Sequence, residues 1–125
     1  MLLVGLLCGA PYGRAINRGA PTHIVASWRV AHASLPIGAL AMVSIGSVMS
    51  SLAAGASVQW FIAVSLIVSS YAFCLSLPLA ALTGHRGLSS GGPPSAKLVY
   101  AGNTLGAAFS LLASVAFVYA AFVSL

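Results

Sequence analysis

The chain contains no aspartate and no glutamate. This absence excludes a carboxylate proton relay, acid–base hydrolysis by paired carboxylates and a carboxylate-ligated di-metal site, because each of these needs an acidic side chain. Basic residues are also few, since five lysines and arginines make up the whole 4% charged fraction of the 125 residues. Soluble domains carry about 25% charged residues, whereas this chain is 60% hydrophobic. The composition therefore indicates an integral membrane protein.

Cysteine is scarce too, and the spacing of the two cysteines is not typical of a metal or redox site. Cys8 and Cys74 lie in apolar runs without a CxxC spacing, so we interpret them as small buried hydrophobic residues. Residues 1–10 are apolar but lack a preceding basic region, so they do not indicate a signal peptide. Because the chain opens directly in apolar sequence, we expect a short or truncated first helix.

Long apolar runs predict the fold. A membrane span needs roughly 20 apolar residues, so the pattern favours an all-α, polytopic bundle of four transmembrane helices that form one domain. The predicted spans are residues 1–15, 27–50, 58–83 and 96–125. Ser27 is a candidate N-cap for the second span.

The basic residues predict the orientation of these spans. A net charge of +5 would suggest nucleic acid binding in a soluble protein. Here the cations fall in or beside two short connections on one side, which the positive-inside rule makes cytoplasmic. We therefore expect a multi-pass protein of the cell inner membrane with no nucleic acid partner. The cations are Arg14, Arg18, Arg29, Arg86 and Lys97.

The stretch from Ser27 to Gly38 carries the main chemical candidate. His32 is the only histidine within an apolar span, and an ionisable residue there indicates a functional site. Trp28 lies one helical turn before it, so the two residues share a face. Pro36 lies one turn after it and leaves the carbonyl of His32 without its helical donor. We predict His32 to be the metal or cofactor ligand.

Two further features belong to the third and fourth spans. Tyr71 lies near mid-span, where its hydroxyl needs a partner; it either packs against a neighbouring helix or contacts a ligand. Asn103 lies beside small residues that recur every fourth position and predict a close helix contact. We expect the polar residues of the basic side to converge on one site. The recurring small residues are Gly102, Gly106, Ser110 and Ser114.

These residues resemble a known family. Trp28, Ala31 and His32, followed by a helix with proline and small residues, resemble the Trp-x-Arg-Ala-His-Ser/Ala-Gly stretch of the styrene oxide isomerases. These are small four-helix membrane proteins in which that stretch opens the second helix. Two shorter matches follow along the chain: Tyr71-x-Phe73 with Pro78 is similar to a Tyr-x-Phe…Pro segment, and Arg86-Gly87-Leu88 to an Asn-Arg-Gly-Leu loop.

The chain also departs from the family pattern. Val30 stands where the family has the arginine before Ala-His, and Gly38 occupies the place of a substrate-side asparagine. Counted without gaps from His32, the catalytic tyrosine of the family falls on Leu77, and Tyr71 requires a local shift. Asn103 stands in the region of an aspartate early in the fourth helix.

The resemblance implies a cofactor, a reaction and an assembly. Members bind heme b through the histidine, form homotrimers with heme between protomers, and isomerise small apolar aryl epoxides to aldehydes. By this likeness His32 ligates the iron, and Tyr71 is the catalytic residue. The remaining expected site residues are Trp28 and Arg29 beside the cofactor, and Phe73, Gly38 and Asn103 in the substrate pocket.

Two other functions also fit the sequence. One is a non-catalytic heme-binding subunit for electron transfer, although the second histidine of a bis-histidine heme would have to be His23 or His85, which lie in predicted loops. The other is a structural or accessory subunit of a larger membrane complex. The short first helix and the small-residue stripe from Gly102 to Ser114 suit this function. A Soret absorption band would distinguish either heme protein from the accessory subunit. A spectral shift on adding an epoxide would distinguish the isomerase from the electron-transfer subunit.

Overall fold

The computed structural model describes all 125 residues and is helical throughout, without strands. A single 3-10 turn, Met49–Ser51, follows the first long stretch of helix. Three helical stretches are long and apolar enough to cross a membrane, and a shorter helical segment precedes them. The prediction of a four-helix membrane bundle with a short first member is confirmed. The helices are α1 (Leu2–Leu7), α2 (Gly9–Asn17), α3 (Thr22–Val48), α4 (Ala56–Thr83) and α5 (Pro94–Phe122).

The first apolar segment is nearly one helix. Cys8, which separates α1 from α2, keeps right-handed helical angles with φ −64° and ψ −16°. The segment runs two residues beyond the predicted end at residue 15, and the chain then turns at Gly19 with φ +62°. A positive φ is favourable for glycine, so this residue permits the turn into α3.

The second span begins earlier than the sequence pattern indicates. α3 starts at Thr22, directly after Pro21, instead of at residue 27. Ser27 is therefore inside the helix, and the N-cap prediction for it is wrong: its hydroxyl donates to the carbonyl oxygen of His23 at 2.9 Å. A serine in this arrangement satisfies its hydroxyl within its own helix. The result is one extra turn of α3 on the basic side.

The most extensive helix contact joins α4 and α5. α5 buries Val99, Gly106, Ala113 and Ala120, which recur every seventh residue. This spacing is typical of a pair of helices that wind gently around each other. The hydroxyl of Ser69 on α4 crosses the contact and donates to the carbonyl oxygen of Gly106 at 2.8 Å.

The small-residue stripe of α5 takes part in this contact over half of its length. A Cβ atom at Gly102 would lie 2.7 Å from the Cβ of Ser76. One at Gly106 would lie 2.8 Å from the nearest ring atoms of Phe73. Ser110 is only half-buried and Ser114 is exposed. The predicted helix contact is therefore confirmed at the two glycines, which allow α4 and α5 to approach closely.

The outer surface of the bundle is apolar. Only 18 of the 125 residues are buried, and large hydrophobic side chains such as Trp60 and Leu75 are 70% and 73% exposed. Lipid tails solvate such side chains as well as a protein core does, so a membrane bundle need not bury them. Hydrophobic exposure by itself therefore does not mark a protein interface on this chain.

Candidate functional site

The side chain of His32 leaves α3 toward α1. Its Nδ1 atom lies 2.9 Å from the carbonyl oxygen of Gly5. A carbonyl oxygen only accepts hydrogen bonds, so Nδ1 must carry the proton, and in the neutral ring Nε2 keeps its lone pair. Nε2 has no hydrogen-bond partner in the chain and is not among its fully buried polar atoms. The structure therefore presents one oriented nitrogen with a free lone pair, as a metal ligand requires.

Glycines in the N-terminal segment let the imidazole lie directly against helical backbone. A Cβ atom at Gly9 would lie 2.9 Å from Cε1 of His32 and 3.2 Å from its Nδ1. One at Gly5 would collide with Pro36 and approach the Cβ of Leu35 to 2.9 Å. The missing side chain of Gly9 thus leaves a slot for the ring, and that of Gly5 lets α1 lie close against α3.

Tyr12 and Trp28 complete the surroundings of His32. The rings of Tyr12 and His32 have centroids 6.1 Å apart and an interplanar angle of 31°. Trp28, one turn before His32, is 9% exposed and belongs to a packed cluster with Ala31 and Cys8. Trp28, which the family resemblance implies beside a cofactor, therefore packs in this cluster one helical turn from the histidine.

Gly5, Gly9 and Tyr12 were not foreseen as site residues. A signal for two of them was available, because Gly5, Gly9 and Gly13 recur every fourth residue. This is the same small-residue spacing that identified the α4–α5 contact. The carbonyl partner of His32 carries no sequence signal, since every residue has a carbonyl group.

Arg29 lies on the outside of the bundle. It is exposed and makes no hydrogen bond within the chain. It comes three residues before His32 on α3, so both side chains leave the helix on neighbouring sides. The guanidinium is consequently free to pair with an anionic group bound near the histidine.

Tyr71 also faces outward. It is 69% exposed, and its hydroxyl has no hydrogen-bond partner, so packing against a neighbouring helix of the same chain does not describe it. His32 lies ten residues after the start of α3, and Tyr71 twelve before the end of α4. At 1.5 Å per residue both are about 15–18 Å from the same end of the bundle. They share a membrane depth, but the structure does not bring them together within one chain.

The other predicted site residues are dispersed. Leu77, the alternative to Tyr71, packs against the cluster that contains Trp28. Phe73 lies in the α4–α5 contact against Gly106, and the side chain of Met1 covers Gly38, where a Cβ would lie 2.7 Å from its Cε. A single chain therefore does not assemble the expected substrate pocket around His32.

Asn103 belongs to a second site, which we call the polar pocket. This cavity of about 230 Å³ lies between the start of α3, the end of α4 and α5. The Oδ1 atom of Asn103 is buried and has no partner, an arrangement that costs about 1–3 kcal/mol unless a ligand or water supplies a donor. The lining residues are His23, Ala26, Ser27, Val30, Leu77, Ala80, Arg86 and Asn103.

The polar pocket is separate from the His32 site. His23 precedes His32 by nine residues, which at 100° per residue places it on the opposite side of α3. Arg86 and Asn103 line the cavity on that opposite side. The expectation that the polar residues converge on one site is therefore wrong. His32 lies on one side of α3, and the residues of the polar pocket lie on the other.

Comparison with known proteins identifies the family of the chain. The family model described as styrene oxide isomerase matches residues 1–122 of this chain. No curated protein and no solved structure shows significant similarity to it. The match includes α1 and α2, which hold the ring of His32, as well as the three long helices. The chain therefore belongs to the styrene oxide isomerase family.

Proposed function

We propose that the protein is a heme-dependent membrane isomerase that converts a small apolar aryl epoxide into the corresponding aldehyde. Membership of the family supports an isomerase. The observation that supports a bound cofactor is the unpartnered Nε2 lone pair of His32, whose ring the hydrogen bond from Nδ1 to Gly5 orients. No group of three histidine or cysteine side chains lies close enough to hold a metal ion alone. A metal at His32 thus needs further ligands, which the porphyrin of heme b provides.

The residues around His32 fit such a cofactor. Nε2 would ligate the iron, and donation from Nδ1 to a backbone carbonyl would fix the orientation of the ring. Arg29 is exposed on a neighbouring side of α3, where its guanidinium would pair with a propionate. When bound there, ferric heme supplies a Lewis acid toward the epoxide oxygen.

The chain favours rearrangement over hydrolysis. Conversion of an epoxide to an aldehyde breaks one C–O bond and moves a hydride to the neighbouring carbon, with no net gain or loss of protons. No aspartate or glutamate is present to activate water as a competing nucleophile. The apolar helix surfaces exclude water further. The residues therefore only have to bind and orient the substrate.

We further propose that the complete site forms between copies of the chain in a homotrimer within the cell inner membrane. The support is the outward position of Tyr71 at the membrane depth of His32. Tyr71 of one copy would then face His32 of the next and donate a hydrogen bond to the epoxide oxygen. The roles of Phe73 and Gly38 in a substrate pocket remain predictions, whereas Asn103 lines the separate polar pocket.

Visible absorption of the purified protein tests the cofactor. His32→Ala should lose the Soret band, because it removes the free nitrogen, whereas His23→Ala and His85→Ala should keep it. The two control histidines lie on the far side of α3 and in the loop after α4. Full heme occupancy in His32→Ala would refute the assignment. An unchanged spectrum and no turnover on adding an aryl epoxide would favour the electron-transfer alternative.

A further inference from the structure

The polar pocket contains a cation that has no counter-ion within the chain. Arg86 lines it and makes no hydrogen bond to another residue. The chain has no acidic side chain, so none of its side chains can neutralise this guanidinium. A counter-ion for Arg86 must therefore come from outside the chain.

The polar atoms of the pocket require a ligand that carries a hydrogen-bond donor as well as an anionic group. Arg86 and the ring of His23 are hydrogen-bond donors, which favour anionic oxygen atoms. The Oδ1 atom of Asn103 is an acceptor that is buried and unpartnered, so it requires a donor. The matching ligand thus carries an anionic oxygen group with a hydroxyl or ammonium group close to it.

The position of the pocket indicates the source of that ligand. It lies at the basic end of the bundle, between the first two turns of α3 and the last two turns of α4. Half of its lining is apolar, with Val30, Leu77 and two alanines. Basic pockets between transmembrane helices on the cytoplasmic side typically bind phospholipid head groups. A free anion would not use the apolar part of this lining.

We propose that the polar pocket binds the phosphate of an anionic phospholipid of the phosphatidylglycerol type. The phosphate contacts Arg86 and His23, and a glycerol hydroxyl of the head group donates to the amide oxygen of Asn103. The glycerol ester region lies against the apolar half of the lining. This site is on the opposite side of α3 from His32, so it is independent of the proposed cofactor.

The test measures the lipid that stays with the full-length protein after detergent purification, by mass spectrometry of extracted lipid per chain. Arg86→Gln removes the charge that lines the pocket and should lower retained phosphatidylglycerol about tenfold, the loss expected for one charge-assisted hydrogen bond. Lys97→Gln makes the same charge change at an exposed residue outside the pocket and should retain wild-type amounts. Equal retention in the two variants would overturn the proposal.

Two further measurements identify the ligand and its head group. Phosphatidylglycerol vesicles should raise the melting temperature of the wild-type protein above that in phosphatidylcholine, whose head group has no donor, and Asn103→Ala should remove this preference. A preference that persists in Asn103→Ala would contradict the role of the amide. Equal stabilisation by inorganic phosphate in detergent would show a free-phosphate site and overturn the lipid assignment.

A last control separates this site from the proposed function. The heme-free His32→Ala protein should retain as much phosphatidylglycerol as the wild type. Loss of the lipid together with heme would show that the pocket serves the cofactor, which would overturn the lipid site and leave the isomerase proposal in place. A variant that retains lipid and heme alike would instead refute only the assignment of His32.

Discussion

Gly9→Ala tests the slot that holds the proposed ligand. The new methyl group would lie 2.9 Å from Cε1 of His32 and 3.2 Å from Nδ1, closer than two carbon atoms pack without strain. The ring or the N-terminal segment must therefore shift, which lengthens the 2.9 Å hydrogen bond to Gly5. Overpacking of this kind costs about 1–3 kcal/mol. At 1.4 kcal/mol per factor of ten, we expect heme affinity to fall about five- to a hundred-fold.

The measurement is a titration of heme-free protein with hemin, followed by Soret absorption. Gly13→Ala is the matched control, because it lies in the same segment and a Cβ there meets nothing within 4 Å. Both substitutions raise helix propensity by the same amount, up to about 1 kcal/mol, so the difference between them isolates the contact with His32. Equal affinities in Gly9→Ala and Gly13→Ala would refute the importance of the slot.

Three other expectations concern α4 and α5. Tyr71→Phe should keep heme but lower turnover roughly ten- to a thousand-fold, the range for one oriented donor; unchanged turnover would contradict a substrate contact. Gly106→Leu should prevent folding or assembly in size-exclusion chromatography, whereas Gly46→Leu, where a Cβ meets nothing within 4 Å, should not. Ser76→Ala removes a buried, unpartnered hydroxyl and should raise the melting temperature. Ser69→Ala breaks a 2.8 Å hydrogen bond and should lower the free energy of unfolding by about 1 kcal/mol. A less stable Ser76→Ala and a more stable Ser69→Ala would be inconsistent with these contacts.

The architecture was largely predictable because hydrophobic length and charge distribution determine membrane spans. The predicted ends of the three long helices agree with the structure to within a few residues, except at the start of α3. There the segment between Pro21 and Ser27 contains Thr22 and His23, whose polarity suggests a loop. The helix nevertheless begins directly after Pro21, since proline permits a helix to start after it.

The site was predictable only in its central residue. An apolar span with one histidine singles out His32, but the groups that orient it are a backbone carbonyl and missing side chains, which composition does not reveal. Asn103 and His32 lie at the same end of the bundle, and a linear reading cannot tell which side of α3 each one faces until its neighbours are known. Helix contacts decide this, and they depend on close packing at a few glycines.

The hydrogen bond between His32 and Gly5 joins residues 27 positions apart, on two different helices. Until the N-terminal segment packs against α3, nothing dictates which imidazole nitrogen holds the proton. The binding-competent tautomer is therefore a property of the assembled protein and not of α3 alone. Loading of the proposed heme would therefore require that α1 has packed against α3, since the lone pair of Nε2 is fixed only in that state. Holoprotein yield would then report on completed folding in the membrane.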